Sequence, residues 1–446
     1  MSLAFVGELL LSGAGASVDT RTLRPGEVFF ALPGRSRHGA EFAEEAWQKG
    51  ASAIVLPQGY PSPSGIPSEH IAFHPDPLRW LGEIAAEYRR RFSLPVVAVG
   101  GSNGKTTTKA LIGHLLGSIA PTLGSPKSWN NAIGLPLTLL RLKPSHAYAV
   151  VEIGDNAPGE VRLLAQIADP TLAVITNIGE DHLAGYGSLQ KNLDTKWELA
   201  EYLVQKQSGQ LLLNSEDALL CSKPLPEGIA VAYFGNGPGS LAEGTWTPLG
   251  WDCSRVTGYV AGTPFSVEVP LWGSYNRLNV LAALAVVHLL GVPWDKAMEG
   301  LRSFQPEAYR SEVRWAPSGQ IQIVEAYNAN PSSLRVSLSA LWETLPAGQK
   351  AALVLGQMEE LGEYALPAHK AAIEALRPEA SRIAGVAFVG PLWEAASPPG
   401  LPFPHAFYPS VEALKASLPA WLGQAPVLYL KGSRAQALET LLPSLA

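Results

Sequence analysis

In the stretch VVAVGGSNGKTTTKALI, Val96 to Ile112, three glycines, a lysine and threonine hydroxyls sit at a spacing suited to polyphosphate. Gly100, Gly101 and Gly104 allow a tight backbone turn that aims several N–H groups at one point, and the positive end of a following helix adds to them. The apolar run before the glycines reads as a buried strand, while Leu111, Ile112, Leu115 and Leu116 recur at helical spacing after them. The long phosphate-loop pattern G-x-x-x-x-G-K-[ST] fails, because Val99 occupies the place of its first glycine. A turn that needs glycine for geometry alone is the plainer reading. Gly-Lys-Thr between a strand and a helix is, however, much more specific than glycines by themselves. Lys105 would then neutralise the β- and γ-phosphates, and Thr106 would offer its hydroxyl to Mg2+.

Magnesium also needs carboxylates. Glu152 stands near the end of the apolar run AYAVVEIG, where a carboxylate emerges at the carboxyl edge of a parallel sheet. The loop NIGEDHLAGYGS presents Glu180, Asp181 and His182 in the same relative position after the next strand. Alone, Glu152 is as well read as an ion-paired edge residue, and His182 as a structural histidine. Two adjacent strand ends delivering ligand-type residues beside a phosphate loop shift that balance, because such loops meet at one edge.

Three successive α/β units would position these groups. VFFAL and ASAIVL are strand-like around the helical EFAEEAWQKG, and PLRWLGEIAAEYRRRF is an amphipathic helix leading to Pro95, so residues 1–93 form the first unit. Residues 94–303 carry VVAVG, AYAVVEIG and TLAVITNIG, continuous apolar runs of parallel strands covered on both faces, and close with NVLAALAVVHLLG. Residues 304–446 contain IQIVEAY, AALVLG, IAGVAFVG and APVLYLKG alternating with helices, the rhythm of a doubly wound sheet. The chain's 446 residues suit about three domains, and 47% hydrophobic content supplies their cores. A net charge of -6 lacks the basic face that holds nucleic acid. Two cysteines without a CxxC cluster point to a reduced, cytoplasmic setting. Without an apolar run of about 18 residues or a leader pattern, a soluble, unexported protein with no membrane insertion is expected.

GGSNGKTTTK resembles the short G-x-x-G-K-[ST] phosphate loop of the Mur ligases, ATP-dependent amide-forming enzymes of peptidoglycan synthesis. NNAIGLPLTLLRL, EIGDNAPGEV, ITNIGEDHLAGYGSLQ, YNRLNVLAALA, YNANPSSL, LGQMEELGEY and LKGSR extend the resemblance over essentially the whole chain. It implies a UDP-binding first domain, a central phosphate-loop ATPase domain with a mostly parallel sheet, and a Rossmann-like third domain. It also implies a monomer that joins D-alanyl-D-alanine to a UDP-N-acetylmuramoyl-tripeptide through an acyl phosphate and a tetrahedral intermediate.

The implied ATP site comprises Gly101, Ser102, Asn103, Gly104, Lys105, Thr106 and Thr107, with Asn276 and Asn279 at the adenine, Glu325 at the ribose and Arg310 at the γ-phosphate. Thr106 and Glu152 would hold one Mg2+, and Glu152 and His182 a second. Lys196 matches a lysine carried as a CO2-derived carbamate that supplies metal-facing oxygens; read locally, it is a solvated helical lysine beside Asp194 and Glu198. Thr20, Arg21, Asn130 and Asn131 fall on the precursor's path, and Tyr327, Asn328 and Asn330, with Lys431 and Arg434, near the dipeptide; turn and capping roles suit the loop residues equally. Asn276 also reads as a helix N-cap. The chain departs from the family pattern at Tyr275 (histidine), Tyr309 (glycine), Glu325 (aspartate) and Gln357 (aspartate), and its His38 and Ala40 replace an aspartate and a histidine of the uridine loop. Another carboxylate–amine ligase of the same superfamily and a phosphate-loop switch protein are the rival readings.

Overall fold

The computed structural model describes residues 3–34, 36–126 and 128–445. Its strands form three sheets. The first has four parallel strands in chain order, Ala16–Ser17, Val28–Phe30, Ala53–Pro57 and Ile71–His74. Helix Pro77–Arg90 starts on the Asp76 cap and turns Leu81, Ile84, Ala85 and Tyr88 inward.

That helix also seals the first sheet to the second. Val6, Phe30, Val55, Leu81 and Ile84 share one continuous apolar cluster with Val96, Ala98, Leu135, Val151, Ile175 and Leu213. Its Gly82 lies so close to Ile167 that a Cβ would stand 2.9 Å from the isoleucine Cδ1. Arg89, 4% exposed, donates to the carbonyls of Ala168 (3.0 Å), Asp169 (3.0 Å) and Phe92 (2.9 Å). A buried guanidinium needs such acceptors, and here they bolt the helix end to the central unit.

The central sheet has nine strands, in spatial order Thr263–Val269, Ser254–Val260, Ala242–Pro248, Ala230–Phe234, Gln210–Asn214, Leu172–Ile175, Val96–Gly100, Tyr148–Glu152 and Thr122–Gly124. It is parallel from Thr122–Gly124 through Ala242–Pro248, after which two antiparallel pairings complete it. That antiparallel ribbon is absent from the sequence reading. Because Val96–Gly100 lies between the Leu172 and Tyr148 strands, the three loops that follow these strands open at one carboxyl edge. The third sheet, ordered Glu312–Trp315, Ile321–Glu325, Val427–Lys431, Ala351–Gly356, Ile383–Val389 and His405–Tyr408, is parallel apart from its first pairing.

Candidate active site

The phosphate loop is fixed from beneath. Gly101 (φ 120°) and Gly104 (φ 80°) lie in the left-handed region, and a Cβ on either would collide with Thr176 Oγ1 or Asn279 Oδ1. The Ser102 amide donates to Asn177 O (2.8 Å), the Asn103 amide to Asn177 Oδ1 (3.0 Å), and Thr176 Oγ1 to Asn103 O (2.7 Å). Helix Lys105–Gly117 starts directly behind, with Lys105 Nζ folded over the loop onto the carbonyls of Gly101 (2.6 Å) and Ser102 (3.1 Å).

One cavity of about 500 Å3 opens above this loop, lined among others by Lys105, Thr106, Glu152, His182, Asn279, Arg310, Glu325 and Tyr327. Four of the five expected catalytic side chains therefore meet there, from four stretches of chain. Glu152 is 1% exposed; Asn130 Nδ2 donates to its Oε1 (2.8 Å), while Oε2 is buried without a hydrogen bond. His182 has φ 50°, and its Nδ1 lies 2.6 Å from Glu360 Oε2 of the third unit. Arg310 stacks its guanidinium 3.8 Å from the Tyr327 ring centroid, between Tyr309 (φ 65°) and Ser311 (φ 51°). Left-handed backbone at Tyr309 accounts for a glycine at that place in the family pattern, and such strain concentrates at functional sites.

Lys196 lies elsewhere. It is 2% exposed and absent from the cavity lining; its Nζ pairs with Asp155 Oδ2 (2.9 Å) and Asp181 Oδ2 (3.4 Å), donates to Asn192 Oδ1, and sits 5.2 Å from the Tyr186 ring centroid. The solvated lysine of the local sequence reading is thus corrected. Its supposed partners serve others, Glu198 accepting from the amides of Gly159 and Arg162 and Asp194 pairing with Lys223. Burial pushes the Asp181 carboxyl up, yet the Lys196 and Lys105 charges and the hydrogen bonds from Ser102 and Asn192 together hold it below the usual aspartate value.

The softer assignments divide. Asn276 is fully buried and off the cavity: its Nδ2 donates to Trp272 O and Ser311 Oγ, its Oδ1 accepts from Asn279, and its side chain makes no N-cap bond. Asn279 lines the cavity and accepts from Thr108 Oγ1. Glu325 Oε1 accepts from Tyr275 OH (2.5 Å) and the Ser311 amide (2.7 Å), and Lys431 Nζ lies 3.3 Å from Oε2. Burial, then the Glu325 charge, raises the Tyr275 hydroxyl well above its ordinary value and keeps it a donor. Asn330 caps helix Pro331–Thr344 and donates to Asn103 Oδ1 of the phosphate loop (2.9 Å), while Asn131 Oδ1 accepts from two amides of its own turn. Gly101, Thr20 and Arg21 do not line the cavity; Arg21 is ion-paired to Asp19. Asp155 and Glu360 belong to the site's electrostatics without having been singled out in sequence, because their partners lie 41 and 178 residues away and no local pattern joins them.

The Mur ligase middle domain family matches residues 99–287. The UDP-N-acetylmuramoyl-tripeptide–D-alanyl-D-alanine ligase of Bacillus subtilis is 33% identical, covering 82% of this chain and 78% of its own length; that of Treponema pallidum is 32% identical, covering 97% and 93%. The chain belongs to the Mur ligase family. MurF from Acinetobacter baumannii superposes with a TM-score of 0.84 at 26% identity over 98% of both chains. MurF ligase from Thermotoga maritima in complex with ADP gives 0.82 at 26% identity over 98% of this chain and 97% of its own.

In this Mur ligase the donor set fits magnesium. Glu152, whose buried Oε2 accepts no hydrogen bond, and the buried Thr106 share the phosphate-loop cavity. Among the described residues no group of three or more His, Cys, Asp or Glu is arranged to hold a metal by itself. That combination suits a cation which binds through one or two protein oxygens and completes its shell with phosphate and water. No helix of the described residues is long and apolar enough to cross a membrane.

Proposed function

We propose that this chain is the ATP-dependent ligase that joins D-alanyl-D-alanine to UDP-N-acetylmuramoyl-tripeptide, releasing ADP and phosphate. The observation that carries the reading is the convergence of Lys105, Glu152, His182 and Arg310 on one cavity, in a chain about one third identical over almost its full length to enzymes of that name.

An amide forms from a carboxylate only after the carboxylate is activated, here by the γ-phosphoryl group, and two anions must first be brought together. The first amides of helix Lys105–Gly117 and Lys105 Nζ hold the phosphates, and Lys105 exchanges its own carbonyl partners for them. Arg310, presented from the third unit, adds positive charge opposite the loop as charge builds on the transferring group. The dipeptide amine then attacks the acyl phosphate, and Tyr327 and Asn328 line the cavity beside Arg310 to receive it. Bound Mg2+ would shield the phosphate and carboxylate charges, one ion held by Thr106 and Glu152 and a second by Glu152 and His182. His182 is prepared for that, since Glu360 at its Nδ1 orients the ring.

The carbamate on Lys196 is proposed on the family resemblance alone. Its neighbours are two carboxylates and an amide oxygen, which suit an ammonium; a carbamate there requires other cations to take over Asp155 and Asp181. We further propose three units, 1–93, 94–303 and 304–446, Thr20 and Arg21 in the first contacting the precursor's nucleotide, and a cytoplasmic monomer. Phosphate release with the UDP-tripeptide and D-alanyl-D-alanine, against diaminopimelate, lysine or glutamate as acceptor, tests the reading: dipeptide-dependent release with a UDP-pentapeptide product is expected. Hydrolysis indifferent to every acceptor would defeat it.

A further inference from the structure

Lys109 stands one helical turn beyond Lys105 and is 4% exposed. Two acids face its ammonium, Glu152 Oε2 at 3.8 Å and Glu307 Oε1 at 3.2 Å. Glu152 is the carboxylate whose outer oxygen has no hydrogen bond, whereas Glu307 lies in the chain between the central helix Trp294–Ser303 and the third sheet. Arg310 hangs on the same turn, its amide donating to Glu307 O at 3.2 Å. One buried cation is thus shared between the proposed metal-binding carboxylate and the turn that carries the phosphate-facing arginine.

We infer that Lys109 is a positioning residue that changes partner when the metal nucleotide binds. Before binding, its charge compensates the two carboxylates and holds Glu152 in place at the cavity. A divalent cation on Glu152 would repel the ammonium, which then leans towards Glu307 and draws the Arg310 turn towards the phosphate-loop helix. Metal loading and the placing of Arg310 are coupled through a single side chain, without contact between Lys109 and substrate. The inference rests on the metal site proposed above, and goes beyond it by naming what prepares Glu152 and what senses its occupancy.

The two acids should answer in opposite directions. In Lys109→Met the competing cation is gone, so the Mg2+ concentration giving half-maximal ADP binding by calorimetry should fall about threefold or more, while turnover drops because Arg310 is no longer drawn in. In Glu307→Gln the ammonium leans more on Glu152, so the same midpoint should rise. Lys109→Arg keeps the charge and should return the midpoint towards wild type. A general loss of structure would weaken binding in every variant alike. The inference falls if either midpoint does not move or if both move the same way; should Lys109→Met fail to fold, Glu307→Gln decides. Failure of wild-type protein to ligate the dipeptide would instead defeat the proposed function, leaving these binding midpoints to be judged separately.

Discussion

At the scale of single residues, the site is governed by which charges are buried and with whom. Lys196 is enclosed by Asp155 and Asp181 at 1% and 4% side-chain exposure, so its removal leaves two carboxylates in a dry setting. Breaking such a buried pair costs about 3–5 kcal/mol. Lys196→Ala should therefore lower the thermal midpoint sharply in addition to abolishing ligation. Chemical rescue separates the two roles: added acetate restores partial turnover if a carbamate is needed, whereas methylammonium restoring both turnover and melting temperature identifies the ammonium as the working form. The phosphate loop and Glu152 were legible in the sequence, because glycine spacing and the end of an apolar run are local signals. The partners of Lys196, His182 and Lys109 were not, since side-chain contacts across 41, 178 and 198 residues leave no local periodicity to read.

At the scale of elements, strands buried on both faces announced themselves as unbroken apolar runs, as in Val96–Gly100 and Ala351–Gly356. The ribbon at the edge of the central sheet did not. Ser254–Val260 and Thr263–Val269 alternate buried with exposed positions, and Arg255, Thr257, Ser266 and Glu268 on the outer face break the apolar run. Helix ends allow direct tests. Helix Leu189–Lys206 stops at Gln207, held at φ 54° on an exposed position, where an L side chain is strained. Gln207→Gly should stabilise the protein by about 1 kcal/mol in urea unfolding, the relieved backbone strain outweighing the added freedom of the unfolded chain. In helix Ala365–Leu376, His369 accepts the Met358 amide at Nε2 (3.1 Å) and meets Ala365 O through Nδ1 (2.7 Å), an arrangement for the neutral ring. Burial depresses its pKa below 6.5, so its stabilising contribution is complete above about pH 6.5 and is lost as pH falls through the lower folded value. His369→Gln should flatten the decline of unfolding free energy as pH falls below about 6.5.

At the scale of the whole molecule, the two joints differ in how much apolar surface bridges them. The sequence reading placed unit boundaries at both, near residues 93 and 304. The first is bridged by the continuous apolar cluster and by Arg89. Across the second, the third unit's core reaches back through Leu183 and Trp272, and the remaining ties include side-chain pairs such as Asn103–Asn330, His182–Glu360 and Arg335–Glu180. Exposed polar pairs contribute about 0–1 kcal/mol each, so opening this joint would cost chiefly the apolar contacts of Leu183 and Trp272 and the buried bonds of Tyr275 and Asn276. Differential scanning calorimetry should show residues 1–303 melting as one cooperative transition and residues 304–446 as another. Three separate transitions would contradict the fusion of the first two sheets.

That fusion reaches into how the enzyme meets its reactants. If the precursor's nucleotide docks on the first sheet, as proposed, a fixed bracket presents it to the phosphate loop, and the distance between the two sites becomes a ruler built into the protein. Precursors whose peptide is one residue shorter or longer would bind at the far end yet leave their carboxyl group out of range, a gauge of length that requires no side chain to inspect the residue itself.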